Sequence, residues 1–183
     1  DNRPGMIAPG YSMEEIDLQF MEKSLSFLEE HSKKRKKSPF FLFHSAQAVH
    51  LPSFPADQFK GKTKAGPHGD FIFELDYIVG KLIAALDKYG FADNTLVIFS
   101  SDNGPEVPTV LSMRQDYKHD GARPWRGVKR DNWEGGHRVP FIARWPGKIK
   151  PGTRSSQTLS LTDLMATFAA ITNVKLPHGA GED

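Results

Sequence analysis

Residues 73–105 read FELDYIVGKLIAALDKYGFADNTLVIFSSDNGP, and this stretch decides the fold. From Phe71, two residues before this stretch, to Leu86, the apolar side chains repeat at the spacing of one broad helical stripe. Gly90 follows, and glycine is a common residue at the end of a helix. Thr95 to Ser101 is then a short, β-branched apolar run of strand length. The stretch therefore predicts a long helix, a stop and an apolar strand that ends just before Asp102.

Similar patterns occur on both sides of this stretch. Ser12 with Glu15 three residues later is a capping-box signature, and it predicts a helix from about Met13 to His31. Residues 39–46 (PFFLFHSA) and 138–147 (RVPFIARWPG) are predicted strands, the first buried on both faces. Thr162 is a predicted cap of a further helix. Strands that alternate with helices indicate an α/β fold with a mainly parallel sheet sandwiched by helices.

Composition excludes several classes of protein. Of the 183 residues, 38% are hydrophobic and 25% charged, which is typical of a globular domain. The net charge of +2 is too small to indicate a nucleic-acid partner, and no run approaches the roughly 20 apolar residues of a membrane span. The chain has no cysteine, which excludes disulfides, thiolate catalysis and Cys-ligated zinc.

A polar stretch of almost forty residues follows the central strand. Loops of this length in compact domains are uncommon and usually functional or disordered. In parallel α/β sheets, ligands bind beyond the carboxyl ends of the strands. We therefore expect residues 102–138 to form an active-site loop. The polar residues that follow Phe43, after the first predicted strand, are expected at the same edge of the sheet.

Two residues at the start of this loop are candidate metal ligands. Asp102 and Asn103 offer a carboxylate and an amide oxygen, which suit a hard cation such as Ca²⁺ or Mg²⁺. Calcium takes six to eight oxygen ligands, so two do not complete a site. The sequence DNGP is also strong turn chemistry, and a simple turn is the alternative interpretation.

Lys129 and His50 are candidates to contact an anion. Lys129 lies between Gly127 and Gly135, where it would present a compact cation to a tetrahedral oxyanion. His50 follows the first predicted strand and could protonate a leaving-group oxygen near neutral pH. Four other histidines compete for such a role: His44, His68, His119 and His137. His119 is the strongest of them, because it shares the polar stretch with Asp102 and Lys129.

The sequence has no P-loop, dinucleotide fingerprint or G-x-S-x-G elbow. Three ordered segments nevertheless resemble the type I sulfatases of the alkaline phosphatase superfamily. They are residues 73–105, residues 124–147 (PWRGVKRDNWEGGHRVPFIARWPG) and residues 160–171 (SLTDLMATFAAI). The resemblance implies an alkaline-phosphatase-like α/β fold and hydrolysis of a sulfate ester at a calcium site. It also implies a formylglycine hydrate as the nucleophile.

Site roles follow from the same resemblance. The family pattern places metal binding on Asp102 and Asn103, with Ca²⁺ as the expected cation and Mg²⁺ as the alternative. It places sulfate contact and catalysis on Lys129 and His50. We expect His119 to line the substrate pocket. The implied partner is a sulfate ester, with sulfated carbohydrate as one class, and the implied location is periplasmic or secreted.

The chain departs from the family at the nucleophile. No C/S-x-P-x-R sequence is present, and the nearest imitation, SFPAD at residues 53–57, lacks the arginine. We therefore expect residues 1–183 to be the C-terminal half of a sulfatase catalytic domain, with residues 1–12 as a lead-in, and to be inactive alone. Two alternatives stay open: a phosphonate or phosphodiester hydrolase of the same superfamily, and a non-catalytic module that binds sulfated glycans. The sequence does not predict an oligomeric state.

Overall fold

A computed structural model describes residues 6–35 and 37–181. The chain divides into two compact units, Asp1–Lys148 and Ile149–Asp183. The second unit contains one helix, α5 (Asp163–Thr172), with Thr162 at its N-cap as predicted, although the Thr162 side chain makes no capping hydrogen bond. Among the described residues, no helix combines the length and the apolar character needed to cross a membrane.

Two long helices organise the first unit. Helix α1 (Ile16–Lys34) and helix α2 (Gly66–Tyr89) pack against each other, which confirms both predicted helices. The capping box is wrong, because the Ser12 hydroxyl donates to the Glu14 carboxylate (3.0 Å) and the helix starts later than predicted. The predicted stop at Gly90 is confirmed. Gly90 has a φ of +72° and lets the next amide bond back to the last turn of α2.

The core lies between these helices and the chain that leaves α2. Its buried members are Leu28, Ala85, Leu86, Phe91 and Ala92. A short 3₁₀ turn, Ala92–Asn94, then leads into strand β1 (Val97–Ser100). The core therefore fixes the direction in which β1 leaves α2, and so the place where the polar segment after β1 begins.

The predicted strand at residues 39–46 does not form. The segment lies outside every helix and strand, and no ladder pairs it with another described strand. Phe40 and Leu42 pack against the core, whereas Phe41 and Phe43 are 72% and 78% exposed. Packed and exposed side chains thus alternate along the segment, which buries one face and not both. The prediction of burial on both faces is wrong for this chain.

The sheet of the described residues has two antiparallel strands. Strand β1 pairs with β2 (Phe141–Arg144), and Ser100 at the end of β1 faces Phe141 at the start of β2. The mainly parallel sheet is therefore not confirmed. This register has a direct consequence: the forty residues between the strands leave and return at the same edge, so both ends of the polar segment lie together.

The polar segment between the strands is not a continuous loop. It contains helix α3 (Val107–Tyr117) and the short helix α4 (Glu134–His137). Pro108 lies in the first turn of α3, where its missing N–H costs nothing. The hydrophobic pattern of the sequence did not predict α3, because this helix buries only three side chains: Thr109, Val110 and Met113.

Candidate active site

The site forms where residues 126–136, here called the lysine segment, fold back onto the end of β1. The Gly104 amide donates to the Gly136 carbonyl (2.9 Å), and the Lys129 amide donates to the Pro105 carbonyl (2.9 Å). Asn103 lies two residues before Pro105, a Cα separation of at most about 7 Å. The main chain therefore holds Lys129 beside the Asp102–Asn103 turn.

Close packing of the backbone explains the glycines of this segment. The Gly135 amide donates to the Arg126 carbonyl at 2.8 Å. A Cβ on Gly135 would overlap the carbonyl oxygen of Gly127. Only glycine allows the two ends of the lysine segment to approach each other this closely. The glycines that flank Lys129 therefore let the backbone of the lysine segment pack closely.

The structure brings Lys129 and His50 together across 79 positions of sequence. Lys129 Nζ lies 3.0 Å from His50 Nε2 and 3.6 Å from Glu106 Oε2. The Lys129 and Glu106 side chains are only 22% and 15% exposed, so this ion pair is partly shielded from water. Glu106 also pairs with Arg130 (2.9 Å). The ammonium is therefore held between an imidazole and a carboxylate.

The hydrogen bonds of His50 indicate its tautomer. Nδ1 lies 2.6 Å from the Leu51 carbonyl oxygen, which can only accept. The proton therefore sits on Nδ1, and Nε2 is free to accept from the Lys129 ammonium. This assignment rests on the network of hydrogen bonds. In this state the ring presents a lone pair, not a proton, toward Lys129.

Buried carboxylates hold the segment that carries His50, residues 44–56, here called the histidine loop. Asp17 of α1 accepts from the Gln47 and Ala48 amides, both at 2.7 Å. Glu74 of α2 accepts from the Ala56 amide at 2.9 Å. Burial raises the pKa of Glu74 to about 7, and the nearby Asp17 carboxylate acts in the same direction.

Two competing histidines have structural partners. His44 Nδ1 lies 2.9 Å from the Ser24 hydroxyl, and His68 Nδ1 lies 2.9 Å from the Ser53 hydroxyl. Burial lowers the pKa of both rings, and for His44 it outweighs the opposing effect of Asp17. Both therefore favour the neutral form and pack as part of the fold.

The two candidate metal ligands lie at the turn after β1, as predicted. Asp102 is exposed, and its carboxylate makes no hydrogen bond or ion pair with another described residue. The Asn103 amide nitrogen donates to the Gly104 carbonyl (2.9 Å), which leaves its oxygen as the group available to a cation. Within residues 6–35 and 37–181, no group of three His, Asp or Glu side chains could hold a metal. The pair fits an oxygen-ligated cation but supplies only part of its ligands.

His119 follows the end of α3 and is exposed. Its neighbour Asp120 bonds to Arg114 and Arg123, and the Arg114 hydrogen bonds hold the pKa of Asp120 at about 2. No hydrogen bond joins His119 to His50 or Lys129 in the described part of the chain. Its pocket-lining role stays a prediction.

Sequence reasoning missed the side chains that support the site. Glu106 follows the DNGP turn and could have been noticed as a carboxylate close to the predicted cation. Asp17 and Glu74 fall on the predicted helices, where an acidic residue is normally assigned to the solvent face. Nothing in the local pattern separates a buried acid from an exposed one, so the structure was needed to find them.

Comparison with known proteins identifies the family. The Sulfatase family model matches residues 2–174. The chain belongs to the sulfatase family. It is 38% identical to the N-acetylgalactosamine-6-O-sulfatase of Bacteroides thetaiotaomicron over 88% of this chain and 31% of that protein. It is also 38% identical to the steryl-sulfatase of Rattus norvegicus, over 79% of this chain and 25% of that protein.

Solved sulfatase structures show the same fold. The PsFucS1 sulfatase of Pseudoalteromonas sp. superposes with a TM-score of 0.83 at 34% identity, covering 97% of this chain and 35% of that one. A Bacteroides thetaiotaomicron structure from work on glycosaminoglycan metabolism gives a TM-score of 0.84 at 34% identity, covering 94% and 36%. The predicted alkaline-phosphatase-like fold is therefore confirmed as a partial domain. This sulfatase chain spans about a third of the length of the relatives it matches.

Proposed function

We propose that this chain is part of the catalytic domain of a sulfuric ester hydrolase and supplies the side chains that hold the sulfate group. The contact between Lys129 Nζ and His50 Nε2, 3.0 Å long, supports the proposal most directly. It joins two segments distant in sequence, next to a turn with two free ligand groups. A lysine ammonium is a compact charge that suits a tetrahedral oxyanion, and the Lys129 side chain is 22% exposed.

Sulfate binding would change the hydrogen-bond partners of Lys129 and His50. A sulfate oxygen is an anionic acceptor, so it would replace the neutral His50 Nε2 as the partner of the Lys129 ammonium. His50 Nε2 is then free to take a proton from water, which leaves the ring cationic with a proton on each nitrogen. The Leu51 carbonyl keeps the other proton on Nδ1, so that Nε2 can pass its proton to the leaving-group oxygen.

The cation and the nucleophile complete this proposal. Asp102 and Asn103 would hold Ca²⁺, or Mg²⁺ as the alternative, together with ligands from outside this chain. A bound divalent cation would supply positive charge against the sulfate oxygens. The nucleophile expected from the family is a formylglycine, and the 183 residues contain no matching signature. We therefore expect no turnover by this chain alone.

The substrate class is a sulfate ester. One relative is named for N-acetylgalactosamine-6-sulfate and another for steryl sulfate. Sulfated carbohydrate is therefore one candidate among the leaving groups. Specificity in such sites comes from the loops that shape the pocket, which the shared motifs do not determine.

Titration of this chain with inorganic sulfate, followed by the NMR signals of the His50 ring, tests the anion site. We expect sulfate to shift those signals, and Lys129→Met to weaken binding about tenfold, or about 1.4 kcal/mol. Lys148→Met is the matched control, because Lys148 is exposed and lies outside the site. Equal loss in both variants, or no binding by the unsubstituted chain, would contradict the proposal.

Activity assays separate the alternatives. The complete protein is assayed in parallel with aryl sulfate, a phosphonate ester and a phosphodiester, and sulfate is expected to be preferred. Aryl sulfate turnover by this chain alone would show that the nucleophile lies within it. Sulfated-saccharide binding that needs no calcium and weakens with salt is the result expected of the non-catalytic alternative.

A further inference from the structure

We propose that Asp17 and Glu74 are positioning residues that clamp the histidine loop and fix where His50 meets Lys129. The inference rests on the proposed function, since it gives these two acids a purpose only if His50 serves the site. Both act through the main chain of the loop and neither is placed in contact with a ligand. The clamp has one end on α1 and the other on α2.

The α1 end of the clamp is bidentate. Asp17 is 1% exposed, and its two carboxylate oxygens each accept one of the consecutive amides of Gln47 and Ala48. Two bonds from one side chain fix the two peptide planes that meet at the Gln47 Cα, in orientation as well as in position. The His50 amide then donates to the Gln47 carbonyl (2.8 Å), so His50 sits in a turn that starts at the clamped residues.

The α2 end holds the far side of the loop. Glu74 is fully buried and accepts from the amide of Ala56, which is 1% exposed. The other Glu74 oxygen, Oε1, has no partner among the described residues. A buried carboxyl group with an unmatched oxygen is destabilising. The hydrogen bond that Glu74 does make, to the Ala56 amide, sets the exit of the histidine loop.

The helix pair links both sides of the site. Helix α2 carries Glu74, and its C-terminal end leads through the core into β1 and the Asp102 turn. A loop clamped to α1 and α2 is therefore clamped to the same frame that positions the lysine segment. Misplacement by about 1 Å is enough to weaken a positioned group substantially, so the clamp bears directly on sulfate binding.

The chain offers a paired substitution at Glu74. Glu74→Gln keeps an acceptor oxygen for the Ala56 amide, whereas Glu74→Met fills similar volume and removes it. We expect Glu74→Met to move the His50 ring signals and to weaken sulfate binding roughly tenfold. Glu74→Gln should restore both. Asp17→Asn, which turns one acceptor into a donor that faces an amide, should act like Glu74→Met.

Asp70 provides the control of equal burial. It is 5% exposed and accepts from the Gly61 and Thr63 amides (2.7 and 2.8 Å), outside the histidine loop. Asp70→Asn should lower stability to urea without moving the His50 signals. The clamp is refuted if Asp70→Asn moves them equally, or if Glu74→Met leaves them unchanged. If Asp17→Asn fails to fold, the comparison of Glu74→Met with Glu74→Gln is sufficient to test the clamp.

The proposed function and the clamp fail in different ways. If the unsubstituted chain binds no sulfate, the function is wrong, yet the His50 signals of Glu74→Met still report on the clamp. Hydrogen exchange on the unsubstituted chain adds a further measurement. The Gln47, Ala48 and Ala56 amides should exchange at least about tenfold more slowly than that of the exposed Phe54, and equal rates would overturn the clamp.

Discussion

The histidine loop and the lysine segment meet at one contact, but they are held in opposite ways. Buried carboxylates on two helices hold the histidine loop by its amides. The lysine segment is held by its own backbone, at places where a side chain would not fit. A carboxylate can change its charge and a backbone carbonyl cannot. The histidine loop should therefore be sensitive to pH and the lysine segment sensitive to added bulk.

The largest effect is expected from Gly135→Ala in the lysine segment. The added methyl group would meet the carbonyl oxygens of Gly127 and Arg126, neither of which can move without breaking the fold of the segment. We expect a loss of about 3 kcal/mol in the free energy of unfolding, measured by urea denaturation. Gly121→Ala is the matched control in the same polar stretch, because a Cβ there meets nothing within 4 Å. Similar losses in both variants would show that the segment is not closely packed.

The next effect is a pH dependence that arises at Glu74. Its pKa of about 7 in the folded chain lies above the ordinary value of 4.5, so the folded state binds an extra proton between these values. The contribution of Glu74 to stability is therefore fully present below pH 4.5 and is lost as pH rises through 7. Between pH 5.5 and 7.5 the loss should be about 2 kcal/mol. In Glu74→Gln this loss should disappear, while Asp76→Asn, an exposed change on the same helix, should keep it.

Gly135→Ala sharpens the same contrast. Its cost comes from overlap of atoms and not from charge, so the difference from the parent should be equal at pH 5.5 and pH 7.5. A cost that varied with pH by more than about 0.5 kcal/mol would mean that the two regions share one titrating group. The comparison between them would then fail.

The smallest effect is expected at Glu106, the N-cap residue of α3, which pairs with Lys129 and Arg130 of the lysine segment. Its ion pairs with Arg130 (2.9 Å) and Lys129 (3.6 Å) are partly exposed, so Glu106→Gln should cost only about 0.5 to 1 kcal/mol of stability. Removing a negative charge beside Lys129 should also strengthen sulfate binding severalfold. Arg123→Gln is the control for a surface ion pair away from Lys129. Weaker sulfate binding in Glu106→Gln would show that Glu106 positions Lys129 for the anion.

Local patterns predicted the elements whose stability is local. The apolar stripe of α2 and the glycine after it gave both the helix and its end, because a helix satisfies its hydrogen bonds within itself. The segment at residues 39–46 failed for the opposite reason. A strand requires a partner, and its apolar residues do not reveal whether one is present.

The residues of the candidate site likewise fall into those that the sequence indicates and those that only the packing shows. Lys129, His50, Asp102 and Asn103 could be selected because their chemistry and flanking residues are visible in the sequence, and two of them are in direct contact in the structure. Their supports could not be selected. Asp17 and Glu74 look like ordinary helix-surface acids until the packing of α1 on α2 buries them.

The amino-acid sequence alone thus determined helices α1, α2 and α5, the turn after the central strand, and the family, since each depends on residues close together along the chain or on an ordered set of motifs. The tertiary structure decided that the two strands run antiparallel, that Lys129 lies on His50, and that two acids are buried beneath the histidine loop. Those facts depend on how distant segments share space, and burial or pairing across 79 residues leaves no periodic trace in either segment.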